Sequence, residues 1–267
     1  LPAKLIKTNQ GIGKQLKKFS NQVAYNIKRK TQNTGLWENA NPIRQSFRDT
    51  NIISQSASIR NKLSYNRSNP VYQIHYIFLK TKNKSAMVNG METRHALTHE
   101  IQTHWNITPQ ISIINKARYK ENNQESEYFK NTDYQIQAYS NNLTFRYRPV
   151  SSIQWELSYV FQDKANQTGK EETHQHNLGT TLRWSKLRNF NLQLRANFIH
   201  FDYPYAENSP IAYEMLEGLK PGKNGTWSVT IQKSLYKNLQ LNFHYNGRIS
   251  EQNQAIHTGQ FEVRANF

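Results

Sequence analysis

From Asn224 to Phe267 the chain alternates, and that alternation constrains its fold more than any other feature. Trp227, Val229 and Ile231, then Leu239, Leu241, Phe243 and Tyr245, then Phe261, Val263, Ala265 and Phe267 put an apolar side chain at every second position. Between them stand Ser228, Thr230, Gln240, Asn242, His244, Glu262, Arg264 and Asn266. Successive side chains of a strand point to opposite faces, so these runs predict a sheet with one oily and one wet surface. In a soluble sandwich the oily face is a core. In a membrane barrel it meets lipid, and the wet face lines the lumen. Phe261, Val263, Ala265 and Phe267 carry the signal of a closing strand that ends on an aromatic in phase with the oily face.

The same pattern extends back through the chain. Ile53, Ala57, Ile59, Leu63 and Tyr65 alternate with Ser56, Ser58, Arg60, Lys62 and Ser64, and end in Arg67-Ser68-Asn69-Pro70. Tyr72 to Phe78 lead into a polar stretch from Lys82 to Gly90, expected as a loop. Leu97, Ile101, Trp105 and Ile107 turn at Thr108-Pro109-Gln110 into Ile111, Ile113, Ala117 and Tyr119. Further polar loops are expected over Glu121 to Lys130, Asp163 to Lys170 and Asp202 to Lys223, the last with a segment from Ala212 to Leu219 that can turn helically. The phase slips between Ile136 and Tyr139, which predicts a bulge or a strand running past the membrane. Phe19, Val23, Tyr25 and Ile27 make a first, least patterned strand within residues 16–30.

Connections then alternate between a few residues and ten or more, as in a barrel whose hairpins have one short and one long end. All eight prolines fall outside the proposed strands, as they must, because proline cannot donate to a ladder. The expected fold is all-β: a transmembrane antiparallel up-and-down barrel of about twelve strands over residues 16–267, after a basic periplasmic lead-in over residues 1–15. Without the first strand the count is odd, which would mean an open sheet completed by another part of a longer protein. Tyr65, Tyr72, Trp105, Tyr147, Trp184, Phe190 and Phe267 lie near short turns or the chain end, on the apolar face, as a periplasmic aromatic girdle would.

Composition is compatible with this. Lys and Arg total 35 against 18 acidic residues, a net charge of +17, which by itself raises nucleic acid or an anionic membrane surface as a partner. A mean hydropathy of -0.86 excludes helical membrane spans, although barrel strands spend only half their residues on lipid. There is no cysteine, hence no disulfide, thiol nucleophile or cysteine metal site. The opening LPAKLIKTNQ lacks the apolar core of a signal peptide, so an outer-membrane protein with this sequence is expected to be a processed form or a piece of a longer precursor.

The wet phase holds Arg60, Lys62, Glu100, Lys116, Arg118, Arg146, Glu156, Arg183, Arg195, Arg248, Glu262 and Arg264, the candidate lumen-lining residues. Arg or Lys on the lipid side at mid-depth would cost about 2–4 kcal/mol each, which explains their segregation. Paired Arg and Glu filling a narrow barrel are the favoured reading, and an anion-favouring path the alternative, since cations outnumber acids. Catalytic signals are poor. His174 and His176 share a strand face and could supply two metal ligands, but no acid stands nearby at matching spacing, so rim histidines are the simpler reading. His95, His99 and His104 share a strand, while His200, His244 and His257 are scattered. No hydrolase arrangement of Asn, His and Ser or of paired Asp and His occurs. Gly11-Ile12-Gly13 lacks the third glycine of a dinucleotide loop. No cofactor, metal or catalytic residue is expected.

Glu217-Gly218-Leu219-Lys220-Pro221-Gly222-Lys223-Asn224, Tyr245-Asn246-Gly247-Arg248, Ile256-His257-Thr258-Gly259 and Val263-Arg264-Ala265-Asn266-Phe267 resemble the C-terminal β-barrel region of large outer-membrane proteins of the Bacteroidota. The resemblance implies an outer-membrane location and extra domains in relatives, and no catalytic residue. The plug domain and energy-coupling box of TonB-dependent transporters are not in this sequence. The expected function is that of a non-enzymatic barrel that anchors, or belongs to, an envelope complex for transport, secretion or assembly. Its expected partners are outer-membrane lipid and other envelope proteins, not nucleic acid. The alternatives are a self-sufficient anion-preferring pore and a soluble basic β protein that binds nucleic acid through Tyr, Trp and Arg.

Overall fold

A computed structural model describes residues 17–31, 52–88, 90–186, 189–236, 238–251 and 254–265. The expected lead-in, Gly11-Ile12-Gly13, residues 32–51, and Asn266 and Phe267 lie outside the described residues. Twelve strands follow one another: β1 (Phe19–Thr31), β2 (Ile52–Tyr65), β3 (Tyr72–Met87), β4 (Gly90–Asn106), β5 (Ile111–Ser126), β6 (Tyr134–Val150), β7 (Ile153–Asn166), β8 (Glu172–Lys186), β9 (Phe190–Asp202), β10 (Gly222–Tyr236), β11 (Leu239–Ser250) and β12 (Ile256–Ala265). Among the described residues an α-helix, α1 (Pro210–Met215), lies between β9 and β10, and a short 3-10 turn (Lys130–Thr132) between β5 and β6. Each strand pairs antiparallel with its sequence neighbours in a single up-and-down sheet. Among the described residues no ladder joins β1 to β12.

The short turns owe their form to local chemistry. Asn66 takes the left-handed conformation, with φ of 57°, which asparagine tolerates better than most residues. Asn69 Oδ1 accepts from the backbone N–H of Val71 at 2.7 Å, and Thr108 Oγ1 accepts from Ile111 N–H at 3.0 Å. These polar side chains fix the β2–β3 and β4–β5 reversals and so set the register of each hairpin.

The other ends differ from the expected loops. β3 continues through Met87 and β4 begins at Gly90, β5 continues through Ser126, β7 runs to Asn166 and β8 starts at Glu172. The polar stretches expected as loops are largely strand. Both faces of these outer segments are polar, so they carry no apolar alternation, but their backbone ladders continue without interruption. Among the described outer connections, only residues 203–221 exceed ten positions.

The phase slip in β6 is not a bulge. Its pairing with β5 is regular from Tyr134 to Tyr147. The polarity inverts instead: Tyr134, Ile136 and Ala138 are buried, on the face opposite the outward Tyr139 and Leu143. They meet Ile199, Phe201 and Tyr203 of the β9 end and Ala212, Met215 and Leu216 of the 203–221 loop in one apolar cluster. Side chains from β5, β6, β7 and β9 converge on this loop, so the face they share is concave.

Candidate functional site on the concave face

Alternation and register together put all twelve charged candidates on the concave face. Lys62 stands opposite Ile77, which stands opposite Glu100, which stands opposite Arg118. Arg146, Glu156, Thr181 and Arg195 form a second row. Arg60, Lys116, Arg183, Arg248, Glu262 and Arg264 fall in the same phase.

Only some of these groups are brought together. Glu156 accepts from Arg146 Nε at 2.7 Å, from Arg183 Nη1 at 2.8 Å and from Gln154 Nε2 at 2.9 Å. Arg118 Nη2 lies 2.6 Å from Glu100 Oε2, and Arg264 lies 3.1 Å from Glu262. Arg60, Lys62, Lys116, Arg195 and Arg248 make no ion pair among the described residues. The wall is therefore a partly neutralised cationic surface, in which each of the three candidate glutamates pairs with arginine. Towards the short-turn end a cavity of about 510 Å³ is lined by His104, Asn106, Ser112, Arg146 and Arg148.

Towards the other end, the 203–221 loop folds down onto the concave wall. Ser209 Oγ accepts from Ala212 N–H at 3.0 Å and caps α1, with Pro210 in its first turn, the arrangement expected of a helix start. The helix begins before the expected Ala212 for this reason, and Leu216 to Leu219 form the turn after it. Met215 and Ala212 are fully buried, and Phe201 is 1% exposed. Lys164 of β7, only 7% exposed, donates to the carbonyls of Met215 at 3.0 Å and Glu214 at 3.4 Å. It also pairs with Glu217 at 2.9 Å. The lysine thus serves the end of the helix, where carbonyls lack partners and positive charge is favoured. Glu217 has φ of 56°, a conformation that needs holding in a non-glycine residue. Beside this contact, Lys120, Asn122, Gln162, Tyr213 and Glu214 line a cavity of about 310 Å³. Burial drives the Tyr134 hydroxyl up to about 12, so it stays protonated under the loop.

The convex face carries the apolar band. Tyr72, Trp105, Tyr147 and Trp184 ring its short-turn edge, each about two-fifths or more exposed, and Trp184 packs edge-on against Phe190 at 5.3 Å. A second ring marks the opposite edge. Tyr76 bonds His99 at 2.7 Å, Tyr159 bonds His176 at 2.8 Å and Tyr245 bonds His257 at 2.8 Å. In each pair a tyrosine on one strand meets a histidine on the next, and Phe78 and Phe161 pack on the first two imidazoles. Sequence reasoning took these histidines singly and missed the repeat. The signal was available as an aromatic two residues above a tyrosine in both β3 and β7. Above this ring His174 pairs with Asp163 at 2.5 Å, a hydrogen bond that raises the imidazole pKa above its ordinary value. His174 and His176 do share a face, but each ring has its own partner, and Asp163 stands opposite His174 where no acid was expected.

Two aromatic belts flank an apolar outward band on uncrossed antiparallel strands, and comparison with solved structures agrees. The fold is that of a transmembrane, outer-membrane β-barrel. The ferric-catecholate import receptor Fiu of E. coli K12 matches with a TM-score of 0.54 at 10% identity, over 96% of this chain and 54% of that one. The siderophore receptor PirA of Acinetobacter baumannii matches with a TM-score of 0.55 at 8% identity, over 93% and 41%. CdiB of the same organism matches at 0.50 and 11%, over 80% and 45%. The chain thus spans about half the length of these three proteins, and at these identities the likeness concerns the fold. No protein-family model matches the sequence, and no curated protein does.

Proposed function

We propose that this chain is a non-enzymatic wall segment of a larger bacterial outer-membrane transport assembly, of the kind found as the C-terminal barrel region of large Bacteroidota proteins. One observation carries the reading. β1 and β12 each pair on a single side among the described residues, and in lipid an unpaired strand edge leaves backbone N–H and C=O groups without partners, at several kcal/mol each in apolar surroundings. Further strands from other envelope polypeptide therefore complete the wall. The receptors Fiu and PirA, of which the chain covers only part, support a role within a wider import barrel. Nucleic acid is not a partner in this reading, because the basic side chains on the concave face stand inside the wall.

A second reading, a self-sufficient anion-preferring pore, is favoured by the ion-pair-free Lys116 and Arg195. Planar-bilayer recording from the purified chain separates the two. The wall-segment reading predicts no steady single-channel current from the chain alone. A stable anion-selective current that falls in Arg118→Glu and Arg195→Glu would contradict it and establish the pore.

A further inference from the structure

Just above the Tyr76–His99 pair, the outward face of the sheet divides by charge. β3 presents Lys80, Lys82 and Lys84 in sequence on its convex side, continuing the phase of Tyr72, Ile74, Tyr76 and Phe78. Lys80 and Lys82 are exposed. On the strands that follow, Glu121 of β5 and Glu172 of β8 stand outward in the row of Lys80, Glu125 of β5 in the row of Lys84, and Asp163 of β7 and Asp202 of β9 one outward residue lower, in the row of Phe78. The lysines are therefore not part of a uniformly basic rim.

Below the lysines and two strands to the side, centred on β5, the wall has a dent. Ala117 stands opposite Ile101 on one side and Asn141 on the other, and its small side chain leaves an apolar groove of about 370 Å³ walled by Tyr76, His99, Tyr119, Tyr139 and Phe161. Tyr76 belongs both to the groove and to the strand that carries the lysines. Lys80 lies four residues further along β3, roughly 13 Å away at strand rise, flanked by Ile59 and Leu97. An apolar groove within an aromatic belt, with a row of cations further out on the water side, matches an amphiphile with a hydrocarbon tail and an anionic head.

From this juxtaposition we infer that the β3–β6 convex face binds a phosphorylated glycolipid of the outer leaflet, with an acyl chain in the Ala117 groove and phosphate on Lys80 and Lys82. The inference rests on the outward band being embedded in the outer membrane. A lipid is favoured over an acidic protein because the groove and the lysines share one continuous lipid-side face. A soluble partner would reach the lysines but not the groove.

The test uses the full chain inserted into phosphatidylcholine vesicles containing bisphosphorylated lipid A or the same lipid with its phosphates removed, followed by native mass spectrometry of the extracted protein. The phosphorylated lipid is expected to be retained and the dephosphorylated one to be lost. The combined Lys80→Gln, Lys82→Gln and Lys84→Gln variant should weaken retention by about a hundredfold. Ala117→Phe, which fills the groove and leaves the charges in place, should also reduce it. Equal retention of both lipids, or retention unchanged by the lysine variant, would overturn the inference, as would lysine-dependent capture of an acidic protein with no lipid bound. Failure of the chain to insert into phosphatidylcholine would instead overturn the membrane reading itself.

Discussion

At the scale of single residues, Lys164 has a larger structural role than its charge suggests. A lysine with 7% exposure is uncommon, and it is accommodated because two helix-end carbonyls and Glu217 receive its protons. Glu217 is half exposed, so the ion pair itself is screened and most of the effect comes from the charged hydrogen bonds to the carbonyls. Lys164→Met keeps the length and removes the donors. It should favour release of the 203–221 loop by about 2 kcal/mol, or about thirtyfold in the population of open loop. Glu-C cleavage after Glu217, followed in vesicles, should accelerate accordingly, while cleavage after Glu127 in the β5–β6 turn should not. An unchanged rate at Glu217 would show that the loop is held by its apolar contacts alone. Nothing in the sequence distinguished Lys164 from the outward lysines, since its partners lie some fifty positions away.

At the scale of elements, the informative strand is β6. Its lower half was legible because Leu143, Phe145 and Tyr147 alternate against lipid. Its upper half was not, because there the apolar phase changes sides. Above the membrane the outward face meets water, shown by Gln135 and Gln137, and the concave face meets a folded loop, so the rule that apolar means outward reverses. The account predicts a contrast between adjacent positions. Ile136→Asn buries an amide in the Phe201–Met215 cluster and should destabilise the loop by about 2–5 kcal/mol, the range for emptying a buried aliphatic site. Gln137→Asn, one residue along on the opposite face, should be near neutral. Urea unfolding of the two variants in detergent, read by loop proteolysis, checks this. Equal effects would mean that the faces are misassigned. The outer strand ends were illegible for a related reason: where both faces are wet, a ladder leaves no periodic mark in the sequence, and Lys82 to Met87 or Glu121 to Ser126 look the same as loop. The closing hairpins were clear because Trp227, Phe243 and Phe261 lie on a face that stays apolar throughout.

At the scale of the molecule, the charged candidates show what periodicity can and cannot reach. Their common phase followed from alternation alone. Which of them pair did not, because cross-strand meetings such as Arg146, Glu156 and Arg183 depend on register across three strands, set by turns and not by the charged residues themselves. That β1 and β12 pair on one side only among the described residues was likewise out of reach, since an even strand count does not by itself establish closure. All of this depends on lipid, and not a protein core, covering the convex side. Brominated phosphatidylcholine gives the direct test, because bromine quenches tryptophan only on close approach within the bilayer. Trp155, Trp184 and Trp105 are 40%, 41% and 53% exposed on that face, and the account predicts strong quenching of the reconstituted chain with little effect of aqueous iodide. A chain that stays monodisperse in buffer without detergent, with its tryptophans shielded from bromolipid and iodide alike, would contradict it.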